Sequence, residues 1–465
     1  MNKYILISFL VVNFCLVIGC QSDHEQVILD AGQIEEMDRL HVNDVLSTDV
    51  MHEDFDYLLE KIVDVHPDPK RNIGESWEAL VKHTKAELET PLSVGEFAIV
   101  LKKFTSQLGD SHTLVYPSGV ESMKIPIDWE WTKDGLIVLD SLDDQLKRGD
   151  AVTHIGDKSI EEILIELEEV ISTENEYWLK KQAENDLTEE IYLESLSIIK
   201  DDRVPLTVET SNGELTQTEI NLVHSEELQL LSEMQRDRDD WFGWTIHNDL
   251  SYGYFYLHES NVSDDYEQSV KKFFEEIDHK GVEKVIIDIR ENSGGNSSVV
   301  NSFLSHMPGE SVPDFGVTTR YSIDASEQAG YSKQSGTESF PPMSRHVSKS
   351  EPIFDGNVYV LVGPSTYSSG NMFAVRFHDA GLGTIVGQPT GNAPSNFGDI
   401  LHFHLPHSEF TLIVSHKEFT RPDPSIDLDR SLYPDIEVWK TRDDLLSSSG
   451  DGQLKRMIEI ILSEE

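Results

Sequence analysis

A chain of 465 residues exceeds the size at which one hydrophobic core stops growing, so two or three domains are expected. Its 85 Asp and Glu against 37 Lys and Arg give a formal charge of −48, which argues against binding nucleic acid or adhering to anionic lipid by charge. Apolar residues at 38% exclude a disordered chain.

Lys3 precedes an apolar run over residues 4–18, interrupted only by Ser8 and Asn13, which has the length of an export signal and is short for a spanning helix. The run ends in Leu16-Val17-Ile18-Gly19-Cys20, which resembles a bacterial lipobox in which cleavage after Gly19 makes Cys20 the acylated first residue. Residues 1–19 are therefore read as a lipoprotein signal peptide. The expected location is the cell envelope, lipid-anchored through Cys20 on the extracytoplasmic side of a bacterial membrane. The other cysteine, Cys15, lies within the signal, so neither an internal disulfide nor cysteine chemistry is expected in the mature chain. Residues 20–50 are polar, acidic and weakly periodic, and read as a tether.

In residues 51–120, Phe55, Leu58, Leu59 and Ile62 repeat with helical spacing up to His66, where Pro67 and Pro69 stop the helix. Two more helical stretches, over 75–89 and 93–109, complete an N-terminal helical segment. Residues 121–240 open with extended apolar pieces. A Gly-Asp turn, a short strand and a second Gly-Asp turn then feed a helix boxed by Ser159 and Glu162, with Ile160, Ile163, Leu164, Leu167 and Ile171 as its buried stripe. This order resembles part of a PDZ-type domain.

Residues 241–465 alternate strand and helix, which predicts an α/β core. A strand over 252–259 leads to a helix with Val270, Phe273, Phe274 and Ile277 on one face. The apolar runs at 284–290 and 358–364 read as strands buried on both faces. A helix from Asn371 to about Ala380 stops at Gly381, and a further strand covers 384–387. Residues 309–355, rich in Ser, Pro and Gly, are expected to form long loops over one side.

Chemistry concentrates after the two buried strands. Gly294 and Gly295 follow the first, where adjacent glycines admit positive φ and present bare N–H groups to a ligand. Ser365-Thr366-Tyr367-Ser368-Ser369-Gly370 follows the second, a strand-to-helix turn whose N–H groups would stabilise an anion formed on acyl attack.

Asp288, Arg290, Asn292 and the double glycine, the turn at 366–374, Val386-Gly387-Gln388-Pro389-Thr390-Gly391 and Tyr433-Pro434-Asp435 occur in the order and spacing of the carboxyl-terminal processing (tail-specific) serine protease family, which the chain resembles over nearly all its mature length. Asp110-Ser111-His112-Thr113 looks like that family's Asp-x-His-Thr motif. The resemblance implies a crotonase/Clp-like catalytic core carrying a PDZ-like insertion, Ser368 as nucleophile with Ser369 its competitor, and an oxyanion held by Ser369 and by Gly294 or Gly295. Many members use a lysine about 25 residues after the serine. This chain has none between Ser368 and Lys417, which points to the branch similar to the Tricorn core, with His112 as base.

The orienting glutamate and glycine of that branch are missing, and Asp427 or Asp429 are the candidate substitutes. His402, His404 and His407 could place two imidazoles on one strand face, but no carboxylate or cysteine completes a zinc set. The Asp-x-Asp-x-Ser run from Asp427 lacks the glycine and glutamate of a calcium loop. Neither metal nor cofactor is expected, and polypeptides are the expected substrates. A peptide- or apolar-ligand-binding protein that keeps the fold without the chemistry is the alternative.

Overall fold

The computed structural model describes residues 28–34, 39–74, 76–224, 240–247, 249, 251–427, 430–447 and 450–463; the expected signal peptide, Cys20 and Asp429 lie outside the described residues. Among the described residues, no helix is long and apolar enough to cross a membrane.

The strand Tyr252–Leu257 leads into the helix Asp264–Lys280 and returns as the parallel strand Lys284–Asp288. Ser263 caps that helix by accepting from the Tyr266 N–H, acidic residues fill its first turn, and Gly281 ends it at φ 65°. Asn357–Val362, Thr384–Gly387 and Ile436–Glu437 extend the sheet in parallel, while Phe242–His247 adds an antiparallel edge. Successive residues serve opposite faces. Val285 and Ile287 join the cluster built with the helices Asp264–Lys280 and Ser369–Asp379, whereas Ile286 packs with Tyr359, Leu361, Met457 and Ile461 beneath the helix Gly452–Ser463. Burial on both faces is why these strands are continuously apolar, each such side chain contributing roughly 1.5–3 kcal/mol.

The N-terminal helix Thr48–Val65 starts at the Ser47 cap and ends where His66 turns extended ahead of Pro67. With the helix Val94–Ser106 it packs on an antiparallel sheet that contains the strands Asn396–His404 and Thr411–Thr420. The middle region forms an antiparallel sheet in the order Leu215–Asn221, Arg203–Glu209, Ala151–Ile155, Gly135–Ser141, Ile127–Thr132. The helix Ile160–Glu168 carries the capping box of Ser159 and Glu162 and buries Ile160, Ile163 and Leu167 against this sheet.

Two expectations fail. Residues 28–50 are not all tether: Ile28–Leu29 pairs with Val45–Leu46, which pairs with Leu92–Ser93, and Leu29, Leu40, Val42, Val45 and Leu46 are buried. Strands this short carry no periodicity of their own and exist only through the segment they meet. Residues 309–355 are not long loops. Ser311–Asp314 pairs with Met343–His346, and Gly316–Tyr321 lies between Gly336–Phe340 and Thr411–Thr420. Gly336–Phe340 is exposed throughout, so no hydrophobic alternation announces it.

Candidate active site

The strands Lys284–Asp288 and Asn357–Val362 are parallel neighbours, so the turns that follow them meet at one end of the sheet. Ser368 is the N-cap of the helix Ser369–Asp379, with φ 51° and ψ −123°, a conformation that costs an L-residue about 1–3 kcal/mol and persists only when its surroundings impose it. They do so through hydrogen bonds that each engage a backbone group. Thr366 Oγ1 accepts from the Gly363 N–H (3.0 Å) and donates to the Ile289 carbonyl (2.8 Å), while the Tyr367 N–H donates to the Asn292 carbonyl (3.0 Å). The Ser368 N–H donates to Asn392 Oδ1 at 3.0 Å. Because Ser368 is the cap, the helix begins two residues before the predicted Asn371.

The two serines differ in environment. Ser369 is buried, and its hydroxyl donates to the Gly295 carbonyl at 2.7 Å. Ser368 is half-buried at the apex of the turn. A Cβ on Gly294 (φ 115°) would stand 2.7 Å from Ser368 Cβ and 3.2 Å from both its Oγ and the Ser369 nitrogen. Gly294 therefore faces the serine directly, with its own N–H donated to Asn292 Oδ1 at 3.0 Å. Gly295 (φ 128°) serves a different contact, since a Cβ there would run into the Ser260 carbonyl.

The turn after the helix Val94–Ser106 supplies Asp110, Ser111 and His112. Asp110 is fully buried and accepts from Thr113 Oγ1 (2.6 Å) and the His112 N–H (2.9 Å), with His66 Nε2 at 3.2 Å. Burial alone would raise its pKa, but the bond and charge of His66, aided by His112 and Thr113, hold it down at about 2. His112 stacks on the Tyr367 ring (4.6 Å, 26°), whose other neighbour is the Trp178 ring (3.9 Å, 10°). Its Nδ1 lies 2.9 Å from the Tyr367 hydroxyl. Its Nε2 is buried with no hydrogen-bond partner among the described residues, so it is not bonded to Ser368; a Cβ on Gly398 would stand 3.8 Å from it. Burial lowers the His112 pKa from its usual value, with the Asp110 charge pulling the other way.

Asp427 is not brought to His112. It borders a cleft of about 240 Å³ shared with Ala393, Asn396 and Glu174. The acid beside the histidine turn is instead Glu174, which sequence reasoning missed. Glu174 Oε1 accepts from the Ser111 N–H (3.2 Å) and hydroxyl (2.8 Å), and Oε2 accepts from Asn392 Nδ2 and from the Ala393 N–H (3.3 Å). Burial, and then the Asp110 charge, push its carboxyl up to about 7 against the pull of these donors. Its neighbour Asn175 fixes the segment to the core by donating to the carbonyls of Arg430 (2.8 Å) and Gly391 (3.2 Å). Ser111 and Tyr367 were within quoted motifs without a role, whereas Glu174 had no signal, being one acid among 85.

Ligand atoms of Asp110, His112 and Glu174 lie within 4.8 Å of one another. The two carboxylates are already occupied by O–H and N–H donors, so the trio is a hydrogen-bonded network and not a cation cage. Of the predicted-and-rejected zinc set, His407 Nε2 is engaged with Glu53 at 2.7 Å.

A strained serine at a helix N-terminus, facing a glycine and following a tyrosine that packs on a buried imidazole, has the parts of a serine-hydrolase site. Residues 252–428 match the model of Peptidase family S41. In fold the chain is similar to mature CPAF complexed with lactacystin, at 14% identity and TM-score 0.67 over 89% of this chain and 98% of that one. It is similar also to the crystal structure of mature CPAF, at 13% identity and TM-score 0.66 over 89% and 97%. The photosystem II D1 C-terminal processing protease matches at 14% identity and TM-score 0.46 over 89% and 97%. No curated protein matches the sequence. The chain carries a Peptidase family S41 domain on a mixed α/β fold and is a serine-type peptidase, a hydrolase.

Proposed function

We propose that this protein is a membrane-anchored, extracytoplasmic endopeptidase that cleaves polypeptides through an acyl-enzyme on Ser368. The observation that carries this reading is the forced conformation of Ser368 directly opposite Gly294. Ser368 Oγ attacks the scissile carbonyl while its proton passes to Nε2 of His112. The proton then goes to the leaving amine as the C–N bond breaks, and water hydrolyses the resulting ester by the same route. The Ser369 N–H, at the start of its helix, and the Gly295 N–H receive the oxyanion, since the Gly294 N–H is engaged by Asn292. His112 Nε2 meets Ser368 when substrate closes the site, as catalytic bonds in empty enzymes are commonly open.

The antiparallel middle region, with its strand Ala151–Ile155 followed by the helix Ile160–Glu168, supports a PDZ-like insertion that takes substrate as an added strand. The parallel sheet with helices on both faces supports a crotonase-like core. The lipobox supports a lipid anchor on Cys20.

Incubating the protein with unfolded polypeptides and finding new termini by mass, absent with Ser368→Ala, tests the enzyme. No new termini from the wild type would leave the binding-protein reading. Cys20→Ala should move the protein from the membrane to the soluble fraction or stall its processing; an unlipidated mature N-terminus elsewhere would remove the anchor.

A further inference from the structure

Ser111 Oγ lies 2.8 Å from Glu174 Oε1 and 2.6 Å from the Tyr367 hydroxyl, and that hydroxyl lies 2.9 Å from His112 Nδ1. The four groups form one buried chain between the middle region and the histidine. We infer that Glu174, acting through the hydroxyls of Ser111 and Tyr367, sets the tautomer of His112 and is the positioning acid of this site. The inference rests on the reading of Ser368 and His112 as nucleophile and base.

The direction of each bond follows from counting protons. As a carboxylate, Glu174 can only accept, and four donors meet it: the Ser111 N–H and O–H on one oxygen, Asn392 Nδ2 and the Ala393 N–H on the other. With the Ser111 proton given to Glu174, Ser111 Oγ must accept from Tyr367. Burial raises the Tyr367 phenol well above its usual pKa, so it stays protonated and has that proton to give. The Tyr367 oxygen is then left to accept, and His112 Nδ1 must carry the hydrogen that it accepts. Nε2 is thereby bare, as a base requires.

Protonating Glu174 reverses the chain. Three of its four partners are N–H groups, so the new O–H can be given only to Ser111 Oγ. Ser111 must then donate to Tyr367, Tyr367 to Nδ1, and the imidazole hydrogen moves to Nε2, which can no longer accept from Ser368. The titratable and charged groups around Glu174 are Asp110 and His112 from the turn it bonds, Tyr367 beyond Ser111 and, across the cleft it borders, Arg71, Glu418, Asp427 and Arg430. Asp110 stays ionised, because its pKa is held at about 2. Burial keeps His112 itself below its ordinary pKa. The step near neutrality therefore belongs to Glu174, whose carboxyl titrates at about 7.

The test pairs kinetics with nitrogen-15 spectra of the histidines in the full chain, His112 being assigned by its loss in His112→Gln. Wild-type kcat should rise with pH about a midpoint near 7, and His112 should pass from the Nε2–H to the Nδ1–H tautomer over the same range. Tyr367→Phe keeps the ring between Trp178 and His112 but breaks the chain. It should lower kcat about tenfold or more at unchanged KM, and move the midpoint below that of the wild type. Glu174→Ala should do the same if it folds, and Tyr367→Phe decides the matter if it does not. A Tyr367→Phe enzyme with wild-type kcat and midpoint overturns the inference, as does a His112 that is Nε2–H at every pH. Should the wild type cleave nothing, the peptidase reading fails separately, and the spectra alone still confirm or overturn the tautomer switch.

Discussion

Around Ser368 each restraint has a backbone group on at least one side, with Thr366 Oγ1 and Asn392 Oδ1 as the side-chain partners. The carbonyls of Ile289 and Asn292 and the N–H of Gly363 shape the turn, and glycine at 294 leaves room for it. Around His112 the restraints are side chains buried together: Asp110, Ser111, Glu174, Tyr367 and Asn392, drawn from four separate stretches of the chain. The first kind of restraint tolerates little substitution at single positions. The second is a network in which losing one partner leaves another buried and unsatisfied, at a cost of about 1–3 kcal/mol each. Rigid geometry thus surrounds the proposed nucleophile, and a proton-ordering network surrounds the proposed base.

The sharpest way to break this division is to remove its two poles. Ser368→Ala and His112→Ala should each lower kcat by roughly a thousandfold or more, and the double mutant by little beyond either, because both disable one proton-coupled attack. Single-turnover kinetics on an unfolded substrate measures it. Additive losses would mean that the two residues do not act as a unit.

The double glycine comes next, and its two members should differ in how far alanine lowers stability. Gly294→Ala places a methyl 2.7 Å from Ser368 Cβ at a φ of 115°, so kcat should fall about a hundredfold while the strained backbone costs about 1 kcal/mol of stability. Gly295→Ala instead collides with the Ser260 backbone, at a position where the Ser260 N–H donates to the Gly294 carbonyl at 2.9 Å. It should act on stability, by about 2–4 kcal/mol, seen as a lowered Tm. Equal Tm values for the two variants would contradict the distinction.

The same contrast explains what could be read in advance. Restraints built from backbone leave local marks, so the apolar strands, the double glycine and the serine turn all stand out as short motifs. The helix Asp264–Lys280 was legible for the same reason, through its cap, its apolar face and its closing glycine. Restraints built from distant side chains leave none. Glu174 lies 218 positions from Asn392 and 63 from Ser111, in a loop of ordinary polar composition. Aspartates near the familiar downstream motif were the natural substitutes, yet Asp427 lies on the cleft and not on the imidazole. The strand Gly336–Phe340 was hidden for another reason: it is held by its neighbour's backbone and buries nothing.

On the histidine side, Asp110 links the network to stability. Its folded pKa of about 2 lies below the unfolded value of 3.8, so its stabilising contribution is complete above about pH 4 and is lost as pH falls toward 2. The shift corresponds to roughly 2 kcal/mol. Asp110→Asn should remove that dependence and lower stability at pH 7, measured by denaturant unfolding between pH 2 and 7. An unchanged acid limb in the variant would place the titration elsewhere.

The smallest effect is expected at Ser369, and it tests whether the turn has been assigned in the right register. Its hydroxyl is buried and bonded to the Gly295 carbonyl at 2.7 Å, so it supports the turn that carries Gly294 without facing the cleft. What Ser369 offers chemistry is its N–H, which alanine keeps. Ser369→Ala should therefore cost about 1 kcal/mol in stability and change kcat only a few-fold, with the pH profile unaltered. A shift of the turn by one residue would invert the outcome: Ser369→Ala would be inactive while Ser368→Ala cleaved normally. The conformation weighs against that inversion, since it is Ser368, at φ 51°, that the surrounding backbone holds in a strained geometry, while Ser369 already lies in the helix.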